Sequence, residues 1–134
     1  MSRTVKVLLI VLAVVVGLFI LPFVYEGFHS VGQQRALLNR TDYPQIVAAC
    51  ITIARATTND SAIIRPSDPG VPALVRALSP RFIIASSNLV RMEFHGGFDH
   101  YGYRVRQCET NPAQWAISYY TEGGERFLAE ITHE

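Results

Sequence analysis

The stretch from His95 to Gly102, HGGFDHYG, gathers the side chains best able to do chemistry, with two imidazoles and a carboxylate inside six residues. His95, Asp99 and His100 can each bind a metal or move a proton. If two strands flank a four-residue turn at 97–100, His95 stands opposite Gly102 and His100 shares the parity of Gly102. Both imidazoles then leave the sheet on the face that carries Glu93. Glu93, His95 and His100 would form a three-ligand set of the kind that holds zinc with one position open, and with Asp99 they describe a small metal-binding protein or hydrolase. Two features oppose that reading. The same register puts Arg104 opposite Glu93, where it competes for the carboxylate, and paired glycines beside histidines are what a tight turn requires.

The same tip carries aromatic residues. Phe98, Asp99 and Tyr101 form a candidate binding surface, because aromatics displayed on a rigid hairpin are a common basis for recognition; folded back, they would instead cover the sheet edge. Arg91, Arg104 and Arg106 share the face of Glu93, as an anion site or as a solvated charged surface. Other chemistries find no support. Gly96-Gly97 is not followed by a GK[ST] sequence or a strand–loop–helix pattern, and neither Ser86, Ser87 nor Ser118 sits in a G-x-S-x-G elbow. No catalytic residue is assigned, and the balance favours a non-enzymatic domain.

The elements that must position these residues follow from apolar spacing. Asp42 and Pro44 mark a helix start, and the stripe of Ile46, Val47, Cys50, Ile51, Ile53 and Ala54 predicts one buried face through Ala56. Asp68-Pro69 repeats the device and predicts a second helix ending at Leu78, before Ser79-Pro80. Ile63 and Ile64 between them suggest a short extended piece. From residue 81 the spacing falls to two, predicting strands at 81–86, 89–95, 101–107, 114–121 and 126–131. A three-residue loop at 122–124, with Gly124 left-handed, would place Trp115, Ile117 and Tyr119 on the side of Phe127, Ala129 and Ile131. The expected class is α+β, with two to three helices packed on an antiparallel β-meander of about five strands.

Ahead of this domain, the segment from Val7 to Tyr25 has 19 residues without a charge. As a helix it spans roughly 28 Å, close to the hydrocarbon thickness of a bilayer. Arg3 and Lys6 precede it, while Arg35 and Arg40 follow with Glu26 between, a balance that favours an amino terminus on the cytoplasmic side. Bulky residues from Pro22 to Tyr25 make a poor small-x-small cleavage site, and the first tolerable pair, Ser30 and Gly32, comes late, so the segment reads as an uncleaved signal-anchor in preference to a cleaved signal peptide. The predicted organisation is a cytoplasmic tail and membrane span at 1–25, a juxtamembrane stalk at 26–41 and an extracytoplasmic domain at 42–134. After residue 25 the chain holds 10 arginines against 11 carboxylates, a formal charge of about −1 that provides no footprint for nucleic acid. The expectation is a single-pass protein of the cell membrane whose domain meets a protein or an envelope component.

Cys50 and Cys108 pose opposed arguments. Export favours a disulfide between them. Parity opposes it, since Cys50 lies on a buried helix stripe while Cys108 alternates with Arg104 and Arg106, so the two meet only if the strand ends at Gln107.

Overall fold

A computed structural model of the chain describes residues 2–96 and 99–133, with the side chains of residues 95, 96 and 99 outside the description. Helix α1 runs unbroken over Arg3–Leu38, 36 residues or about 54 Å. Ser2 starts it by accepting the amide of Val5 at 3.3 Å. It continues through Pro22, at the end of the apolar run, where a proline is tolerated. Its 18-residue apolar window is wholly exposed, and the helix is long and apolar enough to cross a membrane. Residues 26–38, expected as a stalk, are the same helix continued, and within them Ser30 and Leu37 are buried against the domain.

Helix α2 occupies Tyr43–Ala56, with Pro44 in its first turn. Asp42 stands at the cap position, yet its carboxylate makes no capping bond. It accepts instead from Arg40 Nε at 2.9 Å and Nη2 at 2.6 Å, so a charge-assisted pair displaces the expected cap. After strand β1, Ala62–Ile64, comes α3, which is only Ala73–Leu78. Asp68-Pro69 does not open it: Asp68 Oδ2 accepts the amide of Arg65 and its carbonyl accepts the amide of Val71, which makes a turn. Pro72 takes the cap position, and Ser79 ends the helix in the left-handed conformation, φ 56°.

Strands β2 (Phe82–Ala85), β3 (Leu89–Gly96), β4 (Asp99–Gln107), β5 (Gln114–Thr121) and β6 (Gly124–Thr132) complete a six-stranded antiparallel meander in the order β1 to β6. The expected α+β architecture is present, with one strand added at the Ile63-Ile64 piece. The inner face carries Ile83, Val90, Met92, Tyr101, Tyr103, Val105, Ile117 and Tyr119, all buried under α2, α3 and the last turns of α1. Each large aliphatic side chain of α2 sealed there contributes roughly 1.5–3 kcal/mol.

Three register details differ from expectation. In the β3/β4 hairpin the ladder extends to Gly96↔Asp99, so Phe94 pairs with Tyr101 and Met92 with Tyr103, two residues away from the expected alignment. The four-residue turn is replaced by a shorter connection, and a shift of two preserves which residues share a face. In the β5/β6 hairpin Thr121 pairs with Gly124 across a two-residue connection instead of a three-residue loop, while Gly124 has the glycine-favouring positive φ expected of it, at 148°. A bulge at Ile117/Ser118 then restores the parity that an even loop would lose: Ile117 faces Ala129, but Ser118 faces Phe127. Phe127 is therefore turned off the core and is 60% exposed, while Leu128 packs against it.

The last turns of α1 belong to the folded unit, and this is testable by truncation. A fragment beginning at residue 26 should melt cooperatively, whereas one beginning at residue 41 should lose more than about 10 °C of melting temperature, because Leu37 leaves a cavity and buried tyrosine hydroxyls lose their acceptors. Circular dichroism melts of both fragments check this.

Candidate functional site

Alternation sends a second set of side chains to the outer face of the sheet. Across the strands, one row reads Ile63, Ile84, Arg91, Arg104, Ser118 and Phe127, and the next reads Phe82, Glu93, Gly102, Tyr120 and Glu125. Gly102 and Tyr120 explain how this face is built. A Cβ on Gly102 would stand 1.9 Å from the Met92 carbonyl oxygen and 2.6 Å from Tyr120 Oη. Glycine leaves that space open, and the Tyr120 ring lies across it. The hydroxyl donates to the Met92 carbonyl at 2.9 Å and accepts from Arg91 Nε at 3.3 Å. Burial pushes the Tyr120 phenol up to about 12, so it remains a neutral donor.

Tyr120 in turn organises the charges. The guanidinium carbons of Arg91 and Arg104 lie 5.0 and 5.5 Å from its ring centroid. These arginines are direct cross-strand partners, a like-charge pairing that disfavours the sheet unless neutralised. Arg91 forms an ion pair with Glu93, and Arg104 one with Glu125 at 2.9 Å, with Glu125 also accepting from the Ser118 hydroxyl. Glu93 does not meet Arg104 as expected: the two-residue shift puts it opposite Gly102, and Arg91 on its own strand takes it.

The sequence-predicted site residues separate on this framework. Glu93 sits on the outer face within its Arg91 pair. His95 and His100 are direct backbone partners, although the side chain of His95 lies outside the described residues. His100 is exposed, with Nε2 3.9 Å from Glu122 Oε1. Phe98 and the Asp99 side chain also lie outside the described residues. Among the described residues no group of three His, Cys, Asp or Glu side chains is placed to hold a metal. Tyr101 leaves the candidate binding surface altogether. It is 1% exposed on the inner face, stacked on Phe94 at 5.8 Å, and donates to Gln33 Oε1 at 2.8 Å. Tyr120 is what sequence reasoning missed, and a glycine in mid-strand was the signal that a neighbour approaches closely there.

Both cysteines are free thiols, and the bridge allowed by the sequence is not formed. Cys50 is buried under the inner face, whereas Cys108, just past β4, lines an outer-face cleft with Arg106, Phe127 and Glu130. The sheet separates them, which is the outcome parity demands. Comparison of the chain with protein-family models, curated proteins and solved structures yields no match.

Gly102→Ala should therefore lower stability by about 2 kcal/mol or more, since its Cβ meets strand backbone that cannot move freely. Gly123→Ala, with only ordinary contact at 3.6 Å, serves as the tolerated control in thermal melts. Burial raises the Cys50 thiol to about 12. At pH 8 alkylation of the native protein should label Cys108 alone, and both thiols should react only after unfolding, read by mass spectrometry.

Proposed function

We propose that the chain is a single-pass membrane protein in which residues 42–134, together with the last turns of α1, form an accessory domain outside the cytoplasm, offering the outer face of its sheet to a protein or envelope component. The observation that carries this reading is the two-part character of α1. Over its apolar run the helix is exposed on all sides, a surface that only lipid or another membrane segment covers without cost. Its last turns are built into the core, with Gln33 and Leu37 engaged by Tyr101 and Tyr103. Ser30, the first buried residue, follows Tyr25 by about 8 Å of helix, which seats the domain directly on the headgroup layer. Arg3 and Lys6 at the opposite end support an amino terminus retained on the cytoplasmic side.

The placement predicts two results. The full chain should resist alkaline extraction from membranes. A fluorescent protein that folds only in the cytoplasm, fused after residue 134, should stay dark; a bright fusion reverses the orientation, and extraction by alkali removes the anchor reading itself.

A further inference from the structure

The outer face holds a cleft of about 340 Å³ whose lining includes Arg91, Arg104, Arg106, Asn88, Gln107 and Glu109. Three arginines line it, with the guanidiniums of Arg91 and Arg104 lying over Tyr120. Arg91 and Arg104 are cross-strand partners, about 5 Å apart at their Cα atoms, and Arg106 follows Arg104 by two residues on the same face, about 7 Å along β4. Arg91 and Arg104 are already held in place by the Tyr120 ring and by one carboxylate each. Little side-chain entropy is left for a ligand to remove from them. Arg106 is exposed and, among the described residues, has no carboxylate partner. Asn88 accepts from the Ser86 hydroxyl through Oδ1, which leaves its amide donors directed to other acceptors. Glu109 is the one carboxylate in the lining, exposed at the rim.

We propose that this cleft binds phosphate groups, with Arg106 supplying the uncompensated charge and Arg91, Arg104 and Asn88 the preformed donors. Planar guanidiniums meet phosphate oxygens through paired N–H donors. The source is a free phosphorylated molecule: Gln33 and Leu37 meet Tyr101 and Tyr103 in that order, so β4 runs away from the apolar segment of α1 and Arg106 lies toward its far end. This inference rests on the outer face being the presented one and not on which way the helix crosses the membrane.

Pyrophosphate titrated calorimetrically into the full chain in phosphatidylcholine nanodiscs is the test. Saturable binding is expected, weakened about tenfold by Arg106→Gln, the scale of one lost charge-assisted contact, and strengthened by Glu109→Gln. Arg106→Gln should melt like the parent chain, and Arg76→Gln, an exposed arginine on α3, should leave binding unchanged. Repeating the titration with phosphatidylglycerol in the disc checks the source: an unchanged affinity is expected of a free ligand, and a weaker one, from a headgroup competing for the cleft, overturns that assignment. Absence of saturable binding, or equal affinity in Arg106→Gln, overturns the proposal, while a protein that fails to enter nanodiscs overturns the membrane reading instead.

Discussion

The contact on which the rest of the molecule depends is the capping of the long apolar helix α1 by the domain that follows it. An α-helix ends with carbonyls that have no partner within the helix. In α1 the Arg35 carbonyl accepts the amide of Asn39 at 3.0 Å, the Leu38 carbonyl accepts the Tyr43 hydroxyl at 2.8 Å, and the Leu37 carbonyl accepts the Tyr103 hydroxyl. Two of these three donors come from the folded domain. Burial drives the Tyr103 phenol well above its ordinary value, so it stays a neutral donor across the pH range of cells. Tyr103 also packs edge-on against Tyr43, Phe94 and Tyr119 at 5.9–6.3 Å between centroids, which makes one residue both the helix cap and the centre of the aromatic core. Ending the helix and docking the domain are one event.

The pH response of this junction follows from the ion pair beside it. The hydrogen-bonded Arg40 guanidinium holds the Asp42 carboxylate below its ordinary value. A folded-state value below the unfolded one means the pair stabilises the fold above the unfolded value and is lost as pH falls through the folded one. The partners are partly exposed, so the effect is a modest loosening in acid where α1 joins α2.

What was legible in the sequence divides along physical lines. Side-chain parity has a period of two, so the inner set around Tyr103 and the outer set around Arg91, Glu93 and Arg104 were assigned correctly even though the β3/β4 register slipped by two residues. Parity fails where a single residue is inserted: the bulge at Ile117/Ser118 turned Phe127 outward, and nothing in FLAEI announces it. Capping signals were ambiguous for a different reason. Asp42 and Asp68 both precede helices, but short polar side chains satisfy themselves with whatever donor is nearest, here Arg40 and the Arg65 amide. Gly102 signals a close neighbour, but that the neighbour is Tyr120 depends on which residue faces Gly102, and that needs the exact register rather than its parity.

The continuity of α1 decides how the outer face can be used. A flexible stalk would let the domain turn any surface toward α1. Here Gln33, Leu37 and Leu38 bind the inner-face tyrosines and Tyr43, so the helix lies on the same side of the sheet as α2 and α3. The arginine-lined face is the one remaining side of a two-layer domain, turned away from all three helices. Its orientation relative to α1 is then set by these contacts instead of by diffusion. The side chains of that face are held by Tyr120 on a body oriented by Tyr103, so the entropy cost of ordering them has largely been met in folding.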